Sequence, residues 1–342
     1  MLEISPNTKQ YQEVTTNSEN QECYNKLHTL VDSIGHYISQ TSLKRVKGFG
    51  TVGLSENTIR TYRSLKRTIL MFQEHLGYEI LTNKVDKDLV EQLIQWLKWD
   101  MGYGDNYAGQ IIKLLKIVLK DIEKSGKEIH PYIRYIESFK QKAADRIIHT
   151  LSFEEIRQIK ELTNLSEELE NSRKWFLIGL FCGQRVSDVL ALKPKQIRIN
   201  SYGLYIDYVQ QKTEKPVTVG VVDRDVIQIL TESFPRPVHA PVFNQDIKEI
   251  CKLAGINQSL QGYVTNPKTN RRMKTIAPKY MFVSTHIMRR SFATNYYGKI
   301  ETPILMHITG HTKESTFLNY IGTQQNKDAM ADLFMQKLSQ ID

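Results

Sequence analysis

His286 and Arg289 stand three positions apart, Gly310-His311 follows, and Tyr320 comes nine positions after His311. On a helix, residues three apart share a face, so His286 and Arg289 would point the same way. Arg offers a planar fork of donors that matches phosphate oxygens. His takes up or releases a proton near neutral pH, and Tyr can serve as a covalent nucleophile. The combination suits chemistry on a phosphodiester. Each residue alone has a plainer reading: a core histidine, a surface cation, one tyrosine among 17. The inference rests on the set and on whether the remaining parts lie upstream.

Two parts are found there. Arg185 follows Cys182-Gly183-Gln184 at a predicted helix start, where backbone donors and the helix dipole favour an anion. Strand-like runs at 196–199, 204–209 and 216–222 predict a small antiparallel sheet, with Lys212 near a hairpin tip and Lys215 close by. Three elements must then position these groups: an apolar helix through Trp175, Phe176, Leu177, Ile178 and Leu180, the sheet, and the helix that opens at His286.

The chain has 342 residues, enough for about two domains, with a net charge of +9. That charge favours an acidic partner, of which nucleic acid is the simplest. The cysteines are Cys23, Cys182 and Cys251. They form no C-x-x-C pair, so neither a zinc site nor a disulfide framework is expected, and a reducing compartment fits. No metal site and no cofactor is expected. Met1-Leu2-Glu3 opens no basic-then-apolar leader, and the apolar run from Trp175 to Cys182 is too short to span a bilayer.

Residues 1–20 are polar and predict disorder. Leu27, Leu30, Val31, Ile34 and Ile38 predict a helix from about Gln21, with its role open, and the basic stretch 44–50 reads as a linker. Helices are predicted from Ser55 to a cap at Gly77, from Asp86 through Leu97, and over 107–124. Two basic stripes lie on them, Arg60, Arg63 and Arg67, then Lys113, Lys116 and Lys120. They suit phosphate contacts along a duplex, although a charged stripe is more often a solvated face. Ser152 and Glu155 form a capping box that opens a new unit. Helices follow at 225–234 and 245–254, then an exposed basic segment at 266–279 with Arg271 and Arg272 as further DNA-contact candidates. Met330, Leu333, Phe334, Leu338 and Ile341 predict a C-terminal amphipathic helix. The expected organisation is 1–50 as a polar segment with one helix, 51–146 as a helical unit, 150–323 as the main unit, and 324–342 as the terminal helix.

In order, Gly183-Gln184-Arg185-Val186-Ser187-Asp188, Gln211-Lys212-Thr213, His286-Ile287-Met288-Arg289-Arg290-Ser291-Phe292-Ala293-Thr294, Thr309-Gly310-His311 and Asn319-Tyr320 resemble the tyrosine recombinase, or phage integrase, family. The resemblance implies a mainly α fold with a small antiparallel β-sheet: an all-helical core-binding domain followed by an α+β catalytic domain. It implies site-specific recombination of DNA that integrates, excises or inverts, without metal or ATP. Tyr320 would attack the scissile phosphate and form a 3′-phosphotyrosyl link. Arg185, Arg289 and His311 would hold the phosphate, Lys212 would protonate the 5′-oxygen with Lys215 as its rival, and His286 would assist proton transfer from Tyr320. Expected partners are double-stranded DNA, a homotetramer on two DNA sites joined through the C-terminal helix, and accessory DNA-bending proteins. No membrane is expected, and the location implied is cytoplasmic, at the nucleoid. An inactive DNA-binding relative and a type IB topoisomerase-like nicking-closing enzyme are the competing readings. Gln184, where many members have Leu, is expected to matter little.

Overall fold

The computed structural model describes residues 29–44, 52–142, 145–321 and 327–339. The polar stretch 1–20, Cys23, Leu27, most of the basic linker (45–50) and Ile341 lie outside the described residues, as do the side chains of Met330 and Leu333. The chain divides into two compact units between Gln141 and Lys142.

The first unit is helical. Helix α1, Leu30–Ser39, starts where Thr29 accepts a hydrogen bond from the Asp32 amide. Helix α2, Glu56–Leu76, is capped by Ser55 and stopped by Gly77 in the left-handed conformation. Helix α3, Lys87–Gln95, begins at the Asp86 cap and runs into a π turn, Trp96–Asp100. Helix α4 is Asp105–Lys124. Their apolar faces close one core around Ile34, Leu65, Ile69, Phe72, Leu97, Ile111 and Leu115. The role of the N-terminal helix, open from sequence, is thus partly answered: Leu30, Val31 and Ile34 belong to this same core.

The second unit opens at helix α5, Phe153–Lys160, with both bonds of the Ser152–Glu155 capping box formed. Helix α6, Glu167–Cys182, is buried on many sides, with Trp175, Phe176 and Ile178 in the core. After it come a single turn, α7, Val186–Val189, and a three-stranded antiparallel sheet, β1 Ile197–Asn200, β2 Gly203–Val209 and β3 Pro216–Val221. Register pairs Leu204 with Val221 and Tyr208 with Val217. Alternation sends Leu204, Ile206, Tyr208, Val217, Val219 and Val221 to one buried face, which packs in the same core as α6. Helices α8, Arg224–Glu232, and α9, Ala240–Leu253, follow. The second begins earlier than its apolar period predicts, because Pro241 is tolerated in a first turn, where its missing amide is not needed.

The basic segment belongs to a two-stranded hairpin, β4 Ser259–Thr265 and β5 Arg272–Pro278. The unit closes with α10 His286–Tyr296, α11 Thr302–Thr309 and α12 Glu314–Ile321, packed around Phe292, Ala293, Leu305, Phe317 and Ile321. A terminal helix, α13, spans Lys327–Leu338, with Phe334, Met335 and Leu338 exposed.

Candidate active site

Arg185 caps the single turn α7 at the end of α6. The chain can turn there because Gly183 adopts a positive φ of 63° and lies against the Phe292 ring, where a β-carbon would collide. A four-residue turn carries little dipole, so the anion preference expected at this point must come from the Arg185 side chain itself. Its Nη1 donates to Gln210 Oε1 at 3.2 Å and lies 3.9 Å from Asp188 Oδ2. The Asp188 carboxylate is buried and accepts the Gln211 amide at 2.9 Å. Asp188 therefore connects the Arg185 turn to the 210–215 loop that bears Lys212.

His286 and Arg289 share the first turn of α10 with unequal exposure. Arg289 is 3% exposed. Its Nη1 donates to the Gly183 carbonyl at 3.3 Å, and its Nη2 donates to the Thr309 carbonyl. One guanidinium thus bridges the ends of α6 and α11. Burial lowers its pKa to about 10, aided by the nearby Arg185 charge, so it stays cationic at neutral pH. His286 keeps solvent access at the helix start. Desolvation of its inner side lowers its pKa, and Arg290, Arg289, Arg185 and Lys212 push the same way, so the neutral ring is favoured.

His311 follows Gly310, whose φ of 66° ends α11. Desolvation, then Arg289 and Arg185, push the His311 pKa down to about 4. Its Nδ1 lies 2.9 Å from Thr309 Oγ1, and that hydroxyl also donates to the Leu305 carbonyl at 2.6 Å. With its hydrogen on Leu305, Thr309 can only accept from Nδ1–H. Neutral His311 then carries its lone pair on Nε2, and it becomes a donor through that atom only when protonated.

Tyr320 sits in the last turn of α12, anchored by buried Phe317 and Ile321. Its ring centroid lies 5.2 Å from that of His311, and the guanidinium carbons of Arg290 and Arg289 lie 5.3 and 5.9 Å from it. Burial raises the phenol pKa, and Arg289, Arg290 and Arg185 oppose that rise without cancelling it. The hydroxyl is buried in a strongly cationic neighbourhood.

Arg185, His286, Arg289, His311 and Tyr320, more than 130 positions apart at the extremes, therefore share one site. Lys212 is exposed on the 210–215 loop; its charge acts on His286, whereas Lys215 is absent from the charges that shift that ring. Among the described residues, no group of three His, Cys, Asp or Glu side chains could hold a metal ion. The structure gives parts to Arg290, Asp188 and Thr309, which the quoted stretches contain without a role, and to Gln210, which lies just outside them and carried no legible signal.

The other basic candidates divide. Arg63 is 2.6 Å from Glu56 and Arg60 3.8 Å from the same carboxylate. The Lys116 ammonium donates to the Ile136 carbonyl. Arg67, Lys113 and Lys120 are exposed. On the β4–β5 hairpin, Arg272 lies over the Tyr263 ring at 4.8 Å, and Arg271 donates to the Thr269 carbonyl.

No family model and no curated relative matches this sequence. Solved structures do match. A lambda integrase (75–356) dimer bound to a COC′ core site aligns with a TM-score of 0.63 at 15% identity, over 86% of this chain and 95% of that one. XerH site-specific recombinase bound to palindromic difH substrate aligns at 0.61 and 16%, over 89% and 93%. The Tn1549 transposon integrase in complex with circular intermediate DNA aligns at 0.53 and 15%, over 85% and 94%. Such low identity speaks for architecture, and on that ground the chain has the fold of the tyrosine recombinases.

Proposed function

We propose that this protein is a site-specific DNA recombinase that cuts and rejoins duplex DNA through a 3′-phosphotyrosyl intermediate. The observation that carries the reading is the buried Tyr320 phenol beside the guanidiniums of Arg289 and Arg290, with the Arg185 charge also acting on it. Cations so placed stabilise a phenolate and the charge that develops on a phosphate under attack. Tyr320 Oη bonds to phosphorus, the bond from phosphorus to the 5′-oxygen breaks, and the exposed Lys212 ammonium delivers the proton to that oxygen. His286, neutral and solvent-accessible, accepts the phenol proton directly or through water. Arg185 and Arg289 grip the non-bridging oxygens. His311 takes a proton as the phosphate arrives, and its Nε2–H joins them. The phosphotyrosyl bond conserves the energy of the broken linkage, so rejoining needs no ATP, and the cations take the role that a metal plays in other phosphoryl-transfer sites.

Arg67, Lys113, Lys120 and the hairpin cations Arg271 and Arg272 are proposed to contact the DNA backbone. Helix α13, with exposed Phe334, Met335 and Leu338, is proposed to join copies of the chain into the tetramer that handles two DNA sites. Among the described residues no helix is long and apolar enough to cross a membrane.

The test is covalent capture. The protein is incubated with a pool of nicked duplexes made from DNA flanking its gene, denatured, and the DNA left attached to it is sequenced. A sequence-specific adduct, lost in Tyr320→Phe and formed in the presence of a chelator, is expected. Tight DNA binding with no adduct would instead make the chain a binding protein. An adduct that reseals without exchanging partners would make it a nicking-closing enzyme.

A further inference from the structure

Gln184 and Gln210 are both 0% exposed, and they form a hydrogen-bonded chain through the floor of the site. Gln184 Nε2 donates to the Ile308 carbonyl at 2.7 Å. Gln210 Nε2 donates to Gln184 Oε1 at 2.8 Å. Gln210 Oε1 accepts from Arg185 Nη1 at 3.2 Å and from Thr213 Oγ1 at 2.8 Å.

The two ends of this chain fix its polarity. A carbonyl can only accept, so Gln184 must turn its nitrogen to Ile308 and its oxygen to Gln210. A guanidinium can only donate, so Gln210 must turn its oxygen to Arg185 and its nitrogen to Gln184. Both amides therefore have one satisfied orientation, and the two ends agree on it.

Gln210 also closes the Lys212 loop with its backbone. Its amide donates to the Lys215 carbonyl at 2.9 Å, and its carbonyl accepts from the Glu214 amide at 2.7 Å. On its far side it packs against Gly310, where a β-carbon would lie 2.2 Å from Gln210 Oε1. One side chain thus touches the Arg185 turn, the Lys212 loop and the residue before His311.

We propose that the Gln184–Gln210 amide pair is a positioning device that sets the Arg185 guanidinium for the scissile phosphate. It holds Arg185 in register with the Lys212 loop and the end of α11. Leu at position 184 could accept nothing from Gln210, so the expectation that Gln184 matters little is replaced by one in which the two glutamines depend on each other. Because the proposal rests on Arg185 as a phosphate clamp, the experiment must separate failure of the clamp from failure of the pair.

Adduct formation is measured at saturating DNA on the captured site, with a phosphate or a methylphosphonate at the scissile position. A methylphosphonate carries no negative non-bridging oxygen, so it makes less demand on a cation. Arg185→Ala, Gln210→Met and Gln184→Met are compared with the parent, with DNA affinity and melting temperature recorded for each. Arg185→Ala is expected to be slow on phosphate and close to the parent on methylphosphonate. Gln210→Met is expected to follow it, about 10- to 100-fold slow on phosphate, as a slight misplacement of a reacting group would be. Its affinity for DNA should stay within about threefold, and its deficit should largely disappear on methylphosphonate.

Full speed of Gln210→Met on phosphate, with Arg185→Ala slow, overturns the positioning role and leaves the clamp standing. An equal deficit on both substrates also overturns it, because that marks general damage to the fold. Full speed of Arg185→Ala overturns clamp and proposal together. Should Gln210→Met melt below the assay temperature, Gln184→Met decides the matter on the same outcomes, since it removes the anchor and leaves Gln210 in place.

Discussion

Arg289→Lys keeps the charge and removes the fork. In the parent, Arg289 is 3% exposed and reaches two carbonyls, Gly183 and Thr309, on two different helices. A single ammonium on a flexible stem cannot hold both and also face a phosphate. Losing one charged hydrogen bond in the interior costs about 1.5–3 kcal/mol. For a unit of this size, about 2–4 °C per kcal/mol applies, so the melting temperature should fall by about 3–12 °C. The loss in rate should be larger than the loss in stability suggests. Removing one preorganised donor from a developing anion slows related reactions by about 10²- to 10³-fold. Melting by circular dichroism and the rate of adduct formation at saturating DNA are the two assays. If Arg289→Lys melts with the parent and its rate deficit is below about threefold, which is under about 0.7 kcal/mol, the bridging-and-clamping argument is wrong.

Three further outcomes follow from the same geometry. The His311 pKa lies near 4 in the folded protein, below the ordinary value of 6.5, so folding is disfavoured by protons. Its contribution is complete above pH 6.5 and is lost as the pH falls towards 4; melting curves from pH 8 to 4 should show His311→Asn losing less stability than the parent over that window. Gly310→Ala forces a left-handed conformation costing about 1–2 kcal/mol and drives a β-carbon against Gln210, so it should lower both the melting temperature and the adduct rate, whereas a surface Gly→Ala at Gly126 should leave the rate unchanged. Lys279 and Glu155 pair at 2.6 Å with 11% and 17% side-chain exposure; Lys279→Met should cost about 3 kcal/mol by stranding the carboxylate, and adding Glu155→Gln should recover part of that in denaturant titration.

Much of this molecule was legible because its signals are local. The Ser152–Glu155 box, the Gly77 stop and the alternation of Leu204, Ile206 and Tyr208 each follow from a few adjacent residues. The residues of the candidate site were found by motif order, which needs no coordinates. What the sequence could not give is contact across distance. Gln210 reaches Gln184 across 26 positions, and Arg289 reaches the Gly183 carbonyl across 106. Nothing in a glutamine's neighbours says that its amide will be buried against another amide. The charge stripes were ambiguous for the same reason: Arg60, Arg63, Arg67, Lys113, Lys116 and Lys120 look alike in sequence, yet Arg63 is held by Glu56 and Lys116 by a carbonyl, while Lys113 and Lys120 meet solvent.

The contact between α6 and α10 works as a datum for the whole site. A β-carbon at Gly179 would lie 2.2 Å from Met288 Sδ, and one at Gly183 would lie 2.4 Å from the Phe292 ring, so the two helices meet where one has no side chains. Arg185 leaves the end of the first helix and Arg289 rises from the start of the second. Their separation therefore inherits the dimensional tolerance of one tightly packed interface. The β4–β5 hairpin, which lies between them in sequence, adds nothing to the error. Such a part can be lengthened, trimmed or recharged while the two guanidiniums hold their gauge, which leaves the hairpin free to diverge.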